Sequence, residues 1–518
     1  MTPRSMTLSI VVIGALLAGP AGAVPGDNIS VVRDLTARVG PIVGAALACK
    51  DIARARIKAI VDKFAAVIKE ASSNVAERAD LARSLDTSVA DGRTAVTSGQ
   101  IDCSLADRQL SELERSLAGP HLSDTAALNS TAAVAATEPA AATATAVRGI
   151  SDREIRFGIS APFSGPSREL GRQMKLGIDA AFDQANDAGG VGGRMLRLIA
   201  ADDGYEPSRT VETMKQLLEK DQVFGVIGNV GTPTAVAALP YALQRRMLFF
   251  GALTGANVLR HDPPDRYVFN YRASYAEETD AVVRYLVKLR GLQPQQIAVF
   301  AQKDAFGDSG FAGVAKAIRA LGASDNAIVR LDYKRNTVEV DEAVNQLRIS
   351  KRPIRAIIMV ATYRAAAKFI VKTRNLFPGM IFANVSFVDG TALADELRLL
   401  GPHYSRGVIV TQVAPAVAGY SSVVLEYKNA LARYFPGEAP DYASLEGYIA
   451  ADILIQALTR AGQDLDTEKL VDALESLHDL DLGLGIKLNF GRSEHQASHK
   501  VWGTMLDENG QYQPLELE

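Results

Sequence analysis

The chain has 518 residues, of which 47% are hydrophobic and 22% are charged, and its formal net charge at pH 7 is -3. This length is too great for one ordinary domain and indicates about three, and the composition is typical of a soluble globular protein. The near-neutral charge gives no electrostatic support for a nucleic-acid partner, so that class of function is excluded.

Residues 1–23 have the pattern of a secretory signal peptide. Arg4 precedes an apolar run over Leu8–Leu17, and the small residues Ala21–Ala23 follow. The run is too short to cross a bilayer, and the small-residue ending fits cleavage after Ala23. No Cys directly follows the run to carry a lipid anchor. We therefore expect an exported, periplasmic protein that is soluble after cleavage, with a retained membrane anchor as the alternative.

Residues 24–120 are predicted to form a helical extension. In KDIARARIKAIVDKFAAVIKEA, apolar residues recur at helical spacing with charges between them. Another helical stretch follows Asn74, and a third begins with the capping-box-like pair Ser104 and Asp107 and ends at Gly119. The extension has no catalytic pattern, so we interpret it as a spacer or as a module for a protein partner.

The only two cysteines, Cys49 and Cys103, both lie in the extension. In an oxidising compartment an isolated pair favours a disulfide over a redox or metal site. Such a bridge would tie the long helices into a hairpin, and two unpaired thiols are the alternative.

The composition and the pattern of the chain change twice after residue 120. Residues 121–149 are mostly Ala, Thr, Ser and Pro and are predicted to be a linker, because they lack the bulky apolar residues of a core. After Ile150, apolar strands such as IRFGIS, QIAVFAQ and RAIIMVA alternate with amphipathic segments such as SRTVETMKQLLEKD. This alternation predicts an α/β region, residues 150–518, with parallel sheets covered on both faces and enough chain for two lobes.

Four loops after predicted strands carry small hydroxyls near the start of a helix. They lie in SAPFSGPSRELG, DDGYEPSRT, NVGTPTAVAA and ALTGANVLR, and they include Ser164, Thr232, Thr234 and Thr254. Helix capping is the alternative role for each hydroxyl. Because the carboxyl ends of parallel strands meet at one edge, several such loops favour a shared oxygen-rich pocket. No Lys or Arg lies inside the glycine turn of NVGTPTAVAA, which favours a singly charged carboxylate over a polyphosphate.

Five segments, taken in order along the chain, resemble the type I periplasmic binding proteins, and especially the branched-chain amino acid (Leu/Ile/Val) receptors of ABC transporters. They are GISAPFSGPSRELGRQMKLGIDAAFDQANDAGG, GVIGNVGTPTAVAALP, TGANVLR, YVFNYRASYAEET and VFAQKDAFGDSGFAGV. The resemblance runs from about Ser151 to the C-terminus and leaves out the extension. It implies two Rossmann-like lobes joined by crossovers near Ala273, near Thr411 and between Gly485 and Trp502. The implied lobes are lobe I, about residues 150–272 and 414–483, and lobe II, about residues 274–411 and 485–518.

The same resemblance implies a ligand in the cleft between the lobes. The ligand carboxylate would be held by the hydroxyls of Thr232 and Thr254 and by the backbone at Ala252. The aromatic residues Phe306 and Tyr363 would close over the ligand from the second lobe.

One position departs from the family pattern. The acid that binds the ligand ammonium in these receptors falls on Ser386, or on Phe387 with a one-residue slip, and Asp389 lies three residues further on. A buried ammonium without an acidic partner is costly, so the ligand is either an amino acid held by Asp389 or an acid without an amine. Arg168 and Arg364 would hold a second carboxylate if they face the cleft, and a solvated surface position is the alternative.

The sequence has no persuasive catalytic or metal site, and we expect no cofactor. The GDSG segment over Gly307–Gly310 resembles the nucleophile loop of trypsin-like proteases, but the surrounding α/β pattern conflicts with their β-barrel fold, and no paired acid and base is evident. His495 and His499 have a spacing that would suit zinc on a helix, but no third ligand accompanies them. The glycines of NDAGGVGGRML follow a helix and precede a strand, so they indicate a turn rather than a dinucleotide site.

The sequence therefore predicts a non-enzymatic solute-binding protein of an ABC importer. Its partners would be a small carboxylate ligand and a permease in the inner membrane, and ligand contacts from both lobes would favour a closed cleft. A ligand-sensing receptor of the same fold, signalling to a membrane partner through the helical extension, is the alternative.

Overall fold

The computed structural model describes residues 36, 39–49, 52–71, 75–98, 102–117, 147–325 and 328–517. The chain forms two compact units, Met1–Ala141 and Ala142–Glu518. The predicted signal peptide and most of the predicted linker, residues 121–146, lie outside the described residues. Among the described helices, none is both long and apolar enough to cross a membrane.

The N-terminal unit is helical where it is described, as predicted. Its helices are α1 (residues 39–48), α2 (Arg54–Ala71), α3 (Val75–Thr97) and α4 (Cys103–Leu117). Ile57, Ile60 and Phe64 of α2 are buried and share one core with Leu110 and Leu113 of α4. The helical spacing in the sequence therefore marks the face of α2 that packs inward.

Cys49 and Cys103 form a disulfide with their Cα atoms 5.6 Å apart. Cys49 directly follows α1 and Cys103 opens α4, so the bridge closes a loop that contains α2 and α3. The predicted bridge is present, but it joins two helix ends and does not hold two long helices as a hairpin. Arg56 adds a direct link from α2 to α4, because it donates to Glu114 at 2.6 Å and to Asp107 at 2.8 Å.

Two sheets form the frame of the C-terminal unit, as predicted for a two-lobed α/β fold. The lobe I sheet has the order β2-β1-β3-β4-β5, and all its neighbours are parallel. Its strands are β1 (Glu154–Ala161), β2 (Met195–Asp202), β3 (Gly225–Ile227), β4 (Phe249–Phe250) and β5 (Val268–Phe269), and the helices between them are α5 (Arg168–Asp187), α6 (Pro207–Lys215) and α7 (Thr232–Gln244). Strand β5 was not predicted from its sequence pattern.

The lobe II sheet has the order β12-β11-β10-β9-β8-β6-β7. Its strands are β6 (Ile297–Gln302), β7 (Val329–Tyr333), β8 (Ala356–Val360), β9 (Ile381–Asn384), β10 (Ile409–Gln412), β11 (Trp502–Leu506) and β12 (Tyr512–Leu515). Strands β6 to β10 pair in parallel, whereas β11 is antiparallel to both β10 and β12. The expectation of parallel sheets therefore fails at this edge, because a connection as short as residues 507–511 permits only antiparallel pairing of β11 and β12.

Helices cover both faces of the lobe II sheet, and α8 packs against α9. These helices are α8 (Tyr275–Arg284), α9 (Ala305–Ala320), α10 (Asp341–Ile349), α11 (Tyr363–Leu376) and α12 (Gly390–Leu400). Every residue of β6 and β8 is buried, as expected of strands covered on both faces.

The chain passes between the lobes three times. It leaves lobe I between β5 and α8 and returns after β10 with α13 (Ser422–Tyr434), α14 (Tyr442–Ala461) and α15 (Thr467–Glu475) before it enters β11. Helix α14 packs closely on α5, because a Cβ at Gly177 would lie only 1.7 Å from the Ser444 carbonyl oxygen. Glycine at this position lets the two backbones touch.

Candidate ligand-binding site

A pair of threonine hydroxyls lies at the carboxyl edge of the lobe I sheet. Thr232 opens α7 and Thr254 lies in the loop after β4, and their Oγ1 atoms are 2.7 Å apart. Both side chains are buried, and the Ala252 carbonyl oxygen accepts a hydrogen bond from the Thr254 N–H at 2.8 Å. Gly231 precedes the pair with a φ of 103°, and a Cβ there would lie 2.3 Å from the Tyr205 ring. The turn therefore requires glycine.

Two further hydroxyls predicted for this site already have partners within the protein. Thr234 Oγ1 donates to the carbonyl oxygens of Val230 and Gly231, at 2.5 and 2.9 Å. Ser164 is exposed, and its Oγ donates to Asp202 Oδ2 at 2.6 Å. In this arrangement both hydroxyls serve the local structure of their own loops.

Four buried aromatic rings form a continuous group beside the threonine pair. This aromatic cluster consists of Tyr205 from lobe I and of Tyr275, Phe306 and Phe387 from the segments after the first crossover. Ring centroids are 5.3 Å apart for Tyr275 and Phe306 and 4.7 Å apart for Phe306 and Phe387. The predicted residue Phe306 therefore lies in the cleft, together with the rings of Tyr205 and Tyr275, which the sequence reasoning did not identify.

The hydroxyl of Tyr275 connects the aromatic cluster to the threonine pair. It faces the hydroxyls of Thr254 and Thr232, but it has no hydrogen-bond partner of good geometry among the described residues. Burial raises the pKa of Tyr275, so the hydroxyl keeps its proton and remains a donor. Three hydroxyls therefore converge at one buried point next to the first crossover.

Polar contacts join the lobes next to the aromatic cluster. Arg335 and Asn336 of lobe II both donate to the Glu206 carboxylate of lobe I, at 2.9 and 2.7 Å. Gln302 Nε2 also donates to the Tyr205 hydroxyl at 3.3 Å. We call Glu206, Arg335 and Asn336 the interlobe clasp. The lobes therefore touch across the cleft, which is closed.

Ser386 belongs to a buried charge network. Arg272 donates to Ser386 Oγ and, at 2.9 Å, to Glu278 Oε1. The Ser386 N–H and the Thr411 hydroxyl both donate to Glu278 Oε2, at 2.7 and 2.5 Å. Glu446 of lobe I lies 3.5 Å from Arg272, and burial raises the pKa of Glu446 to about 7. At Ser386, where the resemblance implies an acid, the serine hydroxyl therefore accepts a hydrogen bond from the guanidinium of Arg272.

Two aspartates cap helix starts on opposite lobes. Asp389 Oδ1 accepts a hydrogen bond from the Ala392 N–H at 3.1 Å at the start of α12. Asp441 Oδ1 accepts one from the Ala443 N–H at 2.7 Å at the start of α14. Each aspartate is 2% exposed, and Thr391 of α12 faces Asp441 across the cleft. The two carboxylates are close enough that burial and then Asp441 raise the pKa of Asp389 well above its ordinary value.

A cavity of about 240 Å³ opens beside these aspartates and is lined by residues of α5, α11 and α12. Tyr363 lines it, and its buried phenol oxygen has no hydrogen-bond partner in the described parts of the chain. Arg168 and Arg364 also line it, and Arg364 Nε donates to Glu396 at 3.1 Å. The two arginines thus lie at the cavity wall, and each already has an acidic partner, since Arg168 Nε lies 3.6 Å from Glu169 Oε1.

The predicted site residues fall into two neighbouring groups. One surrounds the aromatic cluster and consists of Thr232, Ala252, Thr254 and Phe306. The other consists of Tyr363 and Asp389, which line the cavity of about 240 Å³, and of Ser386, which lies beside Asp389 at a smaller cavity. The two groups are neighbours, because Leu253, between Ala252 and Thr254 in the chain, lines the small cavity of about 10 Å³ together with Ser386 and Asp389.

The histidine pair considered for zinc is not on a helix. His495 is buried, its Nδ1 lies 2.8 Å from the Val268 carbonyl oxygen, and its ring stacks on Phe269. His499 Nδ1 lies 2.6 Å from Glu277 Oε1. In the residues that the structure describes, no three His, Cys, Asp or Glu side chains are grouped to hold a metal ion.

A family model described as periplasmic binding protein matches residues 154–511, which is more than half of the chain. The chain belongs to this family. The match confirms the resemblance seen in the sequence and the α/β class of the fold. The periplasmic binding family consists of binding proteins, and the cleft described above lies between the two lobes of its fold.

Named relatives agree with this assignment. An amino acid binding protein of Pseudomonas aeruginosa is 24% identical over 374 residues, which are 70% of this chain and 92% of the relative. The structure of a possible leucine/isoleucine/valine-binding protein from Rhodopirellula baltica is 40% identical, with a TM-score of 0.67 over 72% of this chain and 98% of that chain. A fatty acid ABC transporter substrate-binding protein from Thermomonospora curvata, 20% identical, has the same fold with a TM-score of 0.63 over 71% of this chain and 93% of that chain.

Proposed function

We propose that the chain is the periplasmic solute-binding component of an ABC importer and that its solute is a small molecule with a carboxylate. The observation that carries this proposal is the buried pair of hydroxyls of Thr232 and Thr254, which lies in the cleft at the start of α7. Two hydroxyls next to the free N–H groups of a first helical turn suit a singly charged anion.

Tyr275 supports the same proposal from the other side of the pair. An unsatisfied buried hydroxyl costs about 1–3 kcal/mol, and a carboxylate oxygen would remove this cost by accepting its hydrogen bond. Tyr275 opens α8 directly after the first crossover. A carboxylate held by all three hydroxyls would therefore connect lobe I to the start of lobe II and favour closure of the cleft.

The names of the relatives point to the same chemistry. They include amino acid and Leu/Ile/Val-binding proteins and one protein named for fatty acids, and all of these ligands carry a carboxylate. Two of the structures with this fold are also named as parts of ABC transporters. We accordingly propose a permease in the inner membrane as the protein partner.

Thermal unfolding of the protein, refolded to remove carried-over ligand, tests the proposal. The panel contains leucine, phenylalanine, their amine-free counterparts 4-methylpentanoate and 3-phenylpropanoate, and succinate. A ligand at about 100 times its Kd adds ~2.7 kcal/mol of stability and gives a clear rise in Tm. Loss of solute uptake in cells that lack the chain, restored by its expression, would test the importer assignment.

Substitutions that remove one threonine hydroxyl at a time test whether the threonine pair binds the carboxylate. Thr232→Val and Thr254→Val should each weaken binding by about 1.5–3 kcal/mol, because each removes a hydrogen bond to a charged acceptor. Thr459→Val is the matched control, since this threonine is exposed on α14. Unchanged affinity in both test variants would remove the threonine pair from the site.

A further inference from the structure

A cavity of about 580 Å³ lies beside the first and third crossovers between the lobes. Its wall is formed by the lobe I loop over residues 257–264, by the start of α8, by one face of α9 and by residues 493–499, which precede β11. We call it the hinge cavity. None of the predicted site residues lines it, and its volume is within the range of ~300–1,000 Å³ that is usual for small-molecule sites.

Arg260 lies between the hinge cavity and the threonine pair. Its Nη1 donates to the carbonyl oxygens of Thr254 and Ala256, at 3.2 and 3.0 Å. Its Nη2 donates to the Arg272 carbonyl oxygen at 3.0 Å, and its Nε donates to Gln496 Oε1 at 2.6 Å. None of these four acceptors is a carboxylate, and burial lowers the pKa of Arg260 to about 10. A guanidinium has five N–H donors, so one hydrogen on Nη2 is left for a ligand.

The two acids of α8 that line the hinge cavity are already engaged. His499 Nδ1 lies 2.6 Å from Glu277 Oε1, and Arg284 Nε lies 2.9 Å from Asp280 Oδ2. Each of these carboxylates therefore serves a cation other than Arg260. The buried guanidinium accordingly favours an anion that enters the cavity from solvent.

Two more groups on the wall lack a partner in the part of the chain that the structure describes. Lys316 is exposed on α9 and forms no ion pair there. Asn270 is 1% exposed, and while its Nδ2 donates to the Leu259 carbonyl oxygen at 2.7 Å, its Oδ1 accepts no hydrogen bond. A buried acceptor without a donor is costly, so Asn270 favours a ligand with an N–H group. Asp262 and Glu494 add negative charge at the exposed rim.

We propose that the hinge cavity is a second binding site, that it takes a small zwitterion with a carboxylate and a primary ammonium, and that its occupancy favours the closed cleft. The carboxylate accepts hydrogen bonds from Arg260 and Lys316. The ammonium donates to Asn270 Oδ1 and faces the acids of the rim. This site goes beyond the proposed function, because it does not depend on which acid the cleft binds.

The coupling to the cleft follows from the position of the hinge cavity. Both lobes and two crossovers form its wall, so its shape depends on the angle between the lobes. A ligand that fits the cavity of the closed protein binds the closed state better and increases its population. Arg260 carries the contact further, because it holds the carbonyl oxygen of Thr254 in the threonine pair. Coupling of this kind is reciprocal, so a carboxylate in the cleft also tightens binding of the zwitterion.

Isothermal titration calorimetry of the full protein, refolded to remove carried-over ligand, tests the site. The panel contains the neutral proteinogenic amino acids and 4-aminobutyrate, and each zwitterion that binds is compared with the acid that lacks its amine and with the amine that lacks its carboxylate. We expect at least one zwitterion to bind at least ~10-fold more tightly than both counterparts, because each counterpart loses hydrogen bonds to a charged group. In its presence at saturation, the Kd of a carboxylate in the cleft should fall by about 5-fold.

Variants on the exposed surface of α9 assign the binding event to the hinge cavity. Ala320 is exposed and lines the cavity, so Ala320→Trp should obstruct it and weaken zwitterion binding by about 10-fold or more. Ala312→Trp is the matched control, because Ala312 is exposed on the same helix and does not line the cavity. Lys316→Met should weaken binding by about 2–5-fold, and Lys288→Met, also at an exposed lysine, should not change it.

The outcomes separate the hinge cavity from the cleft. A zwitterion whose binding is weakened by Thr254→Val and unchanged in Ala320→Trp would occupy the cleft and overturn the second site, while the proposed function would stand. Equal binding of a zwitterion and its single-charge counterparts, or no binding by any zwitterion, would also overturn it. Binding that Ala320→Trp weakens, with no effect on the Kd of the cleft ligand, would overturn the coupling.

Discussion

Arg335 of lobe II and Glu206 of lobe I form an ion pair across the cleft, with Nη2 2.9 Å from Oε2. The side chains are 25% and 40% exposed, so water screens the pair in part. Both residues lie in loops at the carboxyl ends of strands, β7 and β2. The interlobe clasp thus stabilises the closed cleft by itself. A bound ligand shifts the equilibrium between the open and the closed cleft further toward the closed state.

Loss of the clasp charge should weaken ligand binding by a small factor. Glu206→Gln removes a partly exposed ion pair worth about 0.5–1 kcal/mol, so the Kd of a bound carboxylate should rise by about 2–5-fold. Calorimetric titration measures the Kd. Asp187→Asn is the control, because Asp187 pairs with Arg433 inside lobe I. An unchanged Kd in Glu206→Gln would show that the clasp does not contribute to closure.

Tyr275→Phe should separate stability from binding. It removes a buried hydroxyl without a hydrogen bond, so the Tm of the ligand-free protein should stay the same or rise. The same change should weaken carboxylate binding by about 10-fold or more, since a donor to a charged acceptor is lost. Thermal unfolding with and without ligand gives both values. A lower Tm without ligand would mean that the hydroxyl already has a partner in the free protein.

The buried charge network around Glu278 should be sensitive to single substitutions. Arg272→Met leaves the carboxylate of Glu278, which is 0% exposed, without its cation and should destabilise the C-terminal unit by about 3–5 kcal/mol. The double variant Arg272→Met with Glu278→Gln should recover part of this loss, because it no longer buries the unpaired charge of Glu278 and leaves only Glu446 without its arginine. Urea unfolding measures both. An equal loss in the two variants would contradict the electrostatic explanation.

The ion pair of His499 and Glu277 should make stability depend on pH. The hydrogen bond to Glu277 raises the pKa of His499 above 6.5, while Glu494, Arg260 and Gln496 also face the imidazole. Because the folded pKa is above the unfolded one, this stabilisation is complete below pH 6.5 and is lost as the pH rises through the raised value. The free energy of unfolding of His499→Gln should therefore approach that of the wild type as the pH increases from 6 to 9.

Glu277, the acidic partner of His499, makes stability depend on pH in the acidic range. Burial acts to raise the pKa of Glu277, but hydrogen bonds from His499 and Ser274 lower it to about 2. Its stabilisation is therefore present above pH 4.5 and is lost as the pH falls toward 2. In the contradicting outcome, the free energy of unfolding of the wild type and that of His499→Gln differ by the same amount from pH 6 to 9 and from pH 4.5 to 2. That result would show that the pair of His499 and Glu277 does not contribute to folding.

Removal of the disulfide should affect the N-terminal unit alone. The bridge joins residues 54 positions apart, and loop closure of this length corresponds to about 4 kcal/mol in the chain-entropy description. Cys49→Ser with Cys103→Ser should therefore lower the unfolding midpoint of the helical unit, measured by hydrogen exchange of α2 and α4. The Kd for a carboxylate ligand should not change. Equal hydrogen exchange in the variant and the wild type would argue against a stabilising role.

Local sequence patterns predicted most of the helices and strands. Strand β8 is an uninterrupted apolar run, β6 is apolar up to its last residue, and α2 has its apolar residues at helical spacing. The turn before α7 combines glycine with hydroxyls, which is a local signal. Strand β7 was missed because only two of its five residues are buried, and β12 because none of its four is.

The amino-acid sequence by itself thus determined the α/β class, the family and the disulfide partners, and it pointed to Thr232 and Thr254 as candidate binding residues. Only the tertiary structure decided that Tyr275 meets those threonines, that Arg335 reaches Glu206, and that Arg272 occupies Ser386. The reason is physical. In the sequence, Asp389 and Asp441 are ordinary helix caps far apart in the chain, and their charges interact only because the folded lobes bring two helix starts together.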